Sequence, residues 1–187
     1  PTHTPGITLI SKEKWHIIFG KIVEHFPYAA LYFSLLVGRD EELIQKISQE
    51  IIYSPLLRQE IPIMLHNMLD ALLEKDVQED VKTALHIAVP IFMKAVPSHK
   101  WEKLFFKVLN SYKETIYEED VKFDYSKRQK FVENAVALIK NKEMKLQIIK
   151  NCLLRKEQIG HYCNSLIIQA SKGLGVYDAE TKQLLGQ

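Results

Sequence analysis

The chain has 187 residues, of which 47% are hydrophobic and 26% are charged. This mixture is typical of a globular protein and excludes a disordered or low-complexity chain. The sequence contains no run of about 18 apolar residues free of charge, so we expect no transmembrane segment. A chain of this length has enough residues to bury a substantial core.

The near-neutral formal charge of +2 hides an uneven distribution. Residues 1–120 contain 13 basic and 17 acidic side chains, whereas residues 121–160 contain 10 basic and 4 acidic ones. A negatively charged partner is therefore expected to approach the C-terminal third of the chain.

Cysteine use indicates a reducing compartment. Cys152 and Cys163 are the only cysteines in the sequence, too few for a disulfide framework. The first ten residues lack a basic start and a sustained apolar segment, so they show no sign of a signal peptide. The prediction is an intracellular, cytoplasmic protein with both thiols reduced.

Helical periodicity begins near the start of the chain and continues through its first half. Ser11 is a suitable N-cap for the first helix, and Asp40 caps a helix with an acidic first turn. Pro55 fits the first turn of the next helix, in which Pro62 should produce a kink or a division. The following helix contains a further internal proline, Pro90.

The second half follows the same plan. Ser98 is predicted to cap one helix, and Ser126 to cap another after the polar connector 118–126. A last helical segment covers roughly residues 143–170. We therefore predict an all-α fold, a compact helical bundle or short α-array of about seven to nine helices. It would form a single domain over residues 1–170, followed by a looser tail over 171–187 that could contain a short helix.

The basic stretch at residues 141–156 is the most strongly charged part of that segment. Its lysines and arginines are distributed around the helix instead of gathering opposite the apolar face. No aromatic residue lies between positions 132 and 161 to stack on bases. The pattern favours a solvated helix face. The alternative is a weak nucleic-acid or anionic-surface binder that uses residues 122–156, with Lys140, Lys142 and Lys145 as candidates.

Two histidines form the next candidate site. His86 lies in an apolar sequence, His66 precedes it by twenty residues, and Met64, Met68 and Met93 are close to them. This layout resembles that of a globin-like sensor, and the resemblance implies an apolar ligand or haem near His66 and His86. The competing interpretation, which we favour, makes His86 a hydrogen-bonded core residue and predicts no cofactor.

Motifs for catalysis and metal binding are absent from the sequence. It contains none of the patterns GxSxG, HExxH, GxxxxGK[ST] or GxGxxG, so we favour a protein that is not an enzyme. The segment NCLLRKEQIGHYCN contains two cysteines and a histidine, but it lacks the paired spacing that zinc requires. We therefore predict no metal site.

Aromatic residues around the polar connector are the candidates for protein binding. Such residues are common anchors at interfaces, although they could equally pack the connector. The function predicted from the sequence is a non-enzymatic helical interaction domain, a scaffold or a regulator. It would bind another protein or associate with itself, as a dimer. The aromatic candidates are Tyr112, Tyr117, Phe123 and Tyr125.

Overall fold

The computed structural model describes residues 14, 17, 41–77, 79–112, 125–154 and 161–174. The side chains of residues 80, 125–127 and 161–164 lie outside this description. Within the described residues there are seven α-helices and no strand, which confirms the all-α prediction. The chain divides into two compact units, an N-terminal unit of residues 1–95 and a C-terminal unit of residues 96–187. The predicted single domain over residues 1–170 stays a prediction.

Three helices form the described part of the N-terminal unit: α1 (Glu41–Tyr53), α2 (Ile61–Leu73) and α3 (Glu79–Ala95). Both α1 and α2 pack against α3. Two glutamates occupy the first turn of α1, where the positive end of the helix dipole favours them.

The prolines determine where these helices begin and how they continue. A 3₁₀ turn at Pro55–Leu57 precedes α2, and Pro62 lies at the start of α2. The predicted helix is therefore divided, because a proline is tolerated in the first turn but removes a hydrogen bond further inside. Pro90 lies inside α3 and is buried.

The core of the N-terminal unit is almost entirely apolar. Its helices carry buried residues three and four positions apart, as amphipathic helices do. Ser48 and His86 are the polar residues buried among the described part of this unit. The buried apolar residues include Ile44, Ile47, Ile51, Met64, Leu65, Met68, Leu69, Leu72, Leu85, Val89, Phe92 and Met93.

Four helices form the described part of the C-terminal unit: α4 (Glu102–Ser111), α5 (Tyr125–Val136), α6 (Lys142–Leu154) and α7 (His161–Ser171). Helix α7 packs against both α5 and α6. The first residues of α6 meet the end of α7, because the Lys145 side chain binds the Lys172 carbonyl. These two helices are therefore antiparallel.

The helix starts differ from two of the predicted caps. Ser98 begins a 3₁₀ turn, and α4 starts later, at Glu102, with no capping hydrogen bond from a side chain. The delay places Trp101 in the core, where its indole N–H donates to the carbonyl of Val96 at 3.1 Å. Helix α5 begins at Tyr125, so Ser126 lies inside the helix. The predicted caps at positions 11 and 40 lie outside the described residues.

Aromatic rings fill the centre of the C-terminal unit. Phe105 makes edge-to-face contacts with Trp101 and with Phe131, at centroid distances of 6.1 and 6.0 Å. This geometry adds stabilisation to that of the buried area alone. The remaining buried apolar residues are Val96, Val108, Tyr112, Val132, Ala135, Val136, Ile139, Leu146, Ile148, Ile149, Cys152, Leu166 and Ala170.

Candidate functional site

The histidines and methionines of the predicted ligand pocket occupy different environments. His86 is buried in the core of the N-terminal unit, whereas the His66 side chain is 60% exposed and pairs with Asp70 at 3.0 Å. His66 therefore lies outside the buried set, and the ligand pocket stays a prediction. The buried members are His86, Met64, Met68 and Met93.

The connection between α1 and α2 exposes three large apolar side chains. Tyr53 ends α1, Leu56 lies in the 3₁₀ turn, and Ile63 lies in the first turn of α2. They are 79%, 78% and 55% exposed, respectively. An isolated exposed apolar residue is ordinary on a protein surface, but several together indicate a contact surface. We refer to Tyr53, Leu56 and Ile63 as the apolar corner.

Successive turns order the backbone of the connection between α1 and α2. The amide of Leu57 donates to the carbonyl of Ser54 at 3.2 Å, and the amide of Glu60 donates to the carbonyl of Leu57 at 2.9 Å. The Leu57 side chain is buried and anchors this connection in the core. The exposed side chains are therefore presented from a backbone with regular hydrogen bonding.

The surroundings of the apolar corner carry little charge. Arg58 and Gln59 are exposed between the 3₁₀ turn and α2, and Pro55 is also exposed. Tyrosine and arginine are the residue types that contribute most to protein–protein binding when a partner excludes water from them. This composition is typical of a protein-binding surface.

Lys145, one of the three candidate lysines, is buried in the C-terminal unit. Its ammonium group donates to the carbonyl of Lys172, just beyond the end of α7. A positive charge at this end of a helix is favourable because it complements the helix dipole. Burial lowers the pKa of Lys145 from 10.5, while the nearby Glu102 carboxylate acts in the opposite direction. The Lys145 side chain is therefore part of the interior, and its ammonium group is not accessible to a phosphate.

Glu102 organises the backbone beside Lys145. Although it is buried, its Oε1 accepts hydrogen bonds from the amides of Lys140 at 2.9 Å and Asn141 at 3.2 Å. The Asn141 side chain in turn accepts from the amide of Met144 at 3.1 Å, and so caps α6. A carboxylate with two amide donors has a buried charge that is well compensated.

The other predicted interaction residues are divided between surface and interior. Tyr112 is buried, and the Arg128 guanidinium lies over its ring at 4.6 Å, a cation–π contact. Lys142, the first residue of α6, and Lys140, which precedes that helix, are exposed. Positions 117 and 123 lie outside the described residues, as does the side chain at 125.

Several further observations concern metals, thiols and membranes. Cys152 is buried and not part of a disulfide. The described residues contain no group of three or more His, Cys, Asp or Glu side chains that could hold a metal ion. None of the helices in the described ranges has both the length and the apolarity needed to cross a bilayer.

Sequence reasoning missed the apolar corner and the role of Glu102. A signal for the corner was present: Leu56 and Leu57 are adjacent in a proline-initiated turn, and such a turn can bury only one of two neighbouring side chains. No comparable signal existed for Glu102, because its partners lie 38 and 39 residues further along the chain.

Comparison of this chain with protein-family models, curated proteins and solved structures gives no match.

Proposed function

We propose that the protein is a helical protein-interaction module that binds a partner protein through the apolar corner of its N-terminal unit. The observation that supports this most is the exposure of Tyr53, Leu56 and Ile63 within one compact connection between helices. Burying such side chains against a partner removes apolar area from water at a gain of about 25 cal/mol per Å².

The proposed partner offers an apolar surface with a hydrogen-bond acceptor or carboxylate for Arg58. Tyr53 supplies a large ring with a polar tip, and such a ring loses little conformational entropy when it becomes ordered. Arg58, exposed beside it, supplies directional hydrogen bonds at the rim. The proposal involves no catalytic group, cofactor or metal.

A matched pair of leucines tests this proposal. Leu56 is 78% exposed in the apolar corner, and Leu154 is 75% exposed at the end of α6 in the C-terminal unit. We expect Leu56→Ser to weaken partner binding about tenfold or more, because a well-placed anchor contributes at least 1–2 kcal/mol. The Leu154→Ser variant should bind the partner with the same affinity as the unchanged protein.

The experiment compares affinity-purified partners of the three proteins by quantitative mass spectrometry, with circular dichroism as the control for folding. Sedimentation of the purified chain separates self-association from binding of a different protein. Equal recovery of every specific partner by the Leu56→Ser and Leu154→Ser variants would contradict the proposed surface.

A further inference from the structure

The described residues of the C-terminal unit expose many lysines and few carboxylates. Among these residues, Glu143 has the one exposed carboxylate. Among the described residues 41–95 of the N-terminal unit, by contrast, four exposed cations are matched by five exposed carboxylates. Within the part of the chain that the structure describes, the excess of exposed positive charge therefore lies in the C-terminal unit. The exposed lysines there are Lys100, Lys103, Lys107, Lys130, Lys140, Lys142, Lys150 and Lys172.

The buried groups Glu102 and Lys145 bring three distant segments of this unit together. The Glu102 carboxylate binds the amides of Lys140 and Asn141 at the start of α6. The Lys145 ammonium, which Glu102 attracts, binds the carbonyl of Lys172 at the end of α7. The start of α4, the start of α6 and the end of α7 therefore meet.

Four of the exposed lysines belong to these meeting segments. Lys103 follows Glu102, Lys140 supplies one of the bound amides, Lys142 begins α6, and Lys172 supplies the bound carbonyl. The backbones of Lys140 and Lys172 are held by hydrogen bonds to Glu102 and Lys145, and all four lysine side chains are exposed. We refer to Lys103, Lys140, Lys142 and Lys172 as the lysine cluster.

The chemistry of this cluster fits a phosphate backbone. A lysine ammonium binds phosphate as a point charge and lacks the flat, forked donors with which arginine recognises guanine, while stacking on unpaired bases uses an exposed aromatic ring. The described part of the C-terminal unit exposes neither an arginine nor a Phe, Tyr or Trp ring. Its exposed large apolar residues, Leu154 and Ile168, lie outside the cluster, so the cluster lacks the apolar anchors that favour a bilayer.

We propose that the lysine cluster binds duplex nucleic acid through its phosphates, without preference for sequence. A duplex is favoured over a single strand because its charge density is higher and stacking plays no part in binding it. This surface is separate from the apolar corner, so the proposal does not depend on the proposed protein-binding function.

The test measures binding of the full chain to two short duplexes of different sequence, by fluorescence anisotropy between about 50 and 200 mM salt. Both duplexes should bind equally, with an affinity that falls steeply as salt rises. Combining Lys103→Gln, Lys140→Gln and Lys172→Gln should reduce the slope of log K against log salt by about 2–3, since each lost phosphate contact removes about 0.9.

A control with the same change in net charge combines Lys46→Gln, Lys75→Gln and Lys94→Gln, three exposed lysines of the N-terminal unit. This control should keep the slope of the unchanged protein. Arginine at positions 103, 140 and 172 should also keep the slope, which shows that loss of binding in the glutamine variant reflects charge and not folding.

Three results would overturn the proposal. One is an equal loss of slope in the cluster variant and the control, which would mean that only net charge matters. Another is binding by the cluster variant equal to that of the unchanged protein. The third is binding to vesicles of anionic lipid with no measurable binding to either duplex at low salt, which would assign the lysines to a membrane surface.

Discussion

The two units stabilise their interiors by different means. The described core of the N-terminal unit is apolar apart from Ser48 and His86, so side-chain packing supplies its stability. The C-terminal unit also buries Glu102, Arg128 and Lys145. Two of these charged side chains bind backbone groups of distant segments. A few buried charges can therefore fix which helix ends meet, because hydrogen bonds are directional and apolar packing is not.

The exposed residues of the two units also differ in chemistry. Among the residues that the structure describes, those of the N-terminal unit expose similar numbers of cations and carboxylates and include the apolar corner, whereas those of the C-terminal unit expose many more lysines than carboxylates. Such surfaces suit two partners of different chemistry, one apolar and one anionic. The comparison therefore leads to separate proposals for the two units.

The largest expected effects come from a matched pair of buried phenylalanines. Phe92 in the N-terminal unit and Phe105 in the C-terminal unit are both fully buried. Replacing either by alanine should cost about 3–5 kcal/mol of unfolding free energy, because the lost ring leaves a cavity. We expect Phe92→Ala to speed amide hydrogen exchange in α1–α3, and Phe105→Ala to speed it in α4–α7.

If either variant speeded amide hydrogen exchange equally in all seven helices, the result would contradict the existence of two separately stable units. That result would instead support the single domain over residues 1–170 predicted from the sequence.

The next effect concerns Lys145. Lys145→Met should cost about 1–3 kcal/mol, because it leaves the Lys172 carbonyl without its donor and Glu102 without its neighbouring cation. Lys150→Met, at an exposed position of the same helix, should change stability by no more than about 0.5 kcal/mol. Urea titration checks both values, and equal effects from the two variants would exclude the structural role of Lys145.

The same residue predicts a direction for the effect of pH. Burial lowers the pKa of Lys145 in the folded protein, while the unfolded chain keeps the ordinary value of 10.5. Between these two pKa values the unfolded state binds more protons, so the contribution of Lys145 to stability rises with pH. The stability difference between the unchanged protein and Lys145→Met should therefore grow as pH increases towards 10.5. If this stability difference became smaller as the pH rises, the pKa of Lys145 in the folded protein would be raised and not lowered.

A smaller effect is expected at Gly173, which follows α7 with a φ of +79°. A Cβ at this position would lie 3.2 Å from the Lys145 ammonium nitrogen. Gly173→Ala should cost about 1–2 kcal/mol, mostly from the left-handed backbone conformation. Gly173→Asn, which tolerates this conformation better, should cost less in the same thermal denaturation experiment. An asparagine variant less stable than the alanine variant would indicate that crowding against Lys145 dominates.

The smallest effect is a gain in stability. The Ser48 hydroxyl is buried and has no hydrogen-bond partner among the described residues, so Ser48→Ala should stabilise the protein by about 0.5–1 kcal/mol. The control is Ser171→Ala, which removes a hydroxyl that donates to the Ile167 carbonyl at 2.6 Å. It should be neutral or destabilising. A loss of stability in Ser48→Ala would indicate that the hydroxyl has a partner.

The all-α fold could be predicted from the sequence because helical periodicity and the positions of prolines are local properties. The division before α2 followed from Pro62, since a proline cannot be accommodated a full turn inside a helix without losing a hydrogen bond. The start of α4 could not be predicted from Ser98 as a cap, because residues 98–100 form a 3₁₀ turn and the buried Trp101 precedes the helix.

The candidate surfaces were harder to predict because exposure depends on tertiary packing. Lys145 occurs in a sequence that resembles a solvated helix face, and only the end of α7 explains its burial. Lys140 and Lys142 are exposed, but their closeness to Lys103 depends on long-range contacts of Glu102. Local periodicity contains no information about such contacts.

The central claim, that the apolar corner binds a partner protein, is tested most directly by site-specific photo-crosslinking in the full chain. A photoreactive amino acid replaces Leu56 in one protein and Leu154 in another, two leucines of nearly equal exposure in different units. We predict a discrete crosslinked protein from position 56 that is lost on addition of excess unlabelled chain, and none from position 154. Specific crosslinks from position 154 alone would contradict the account.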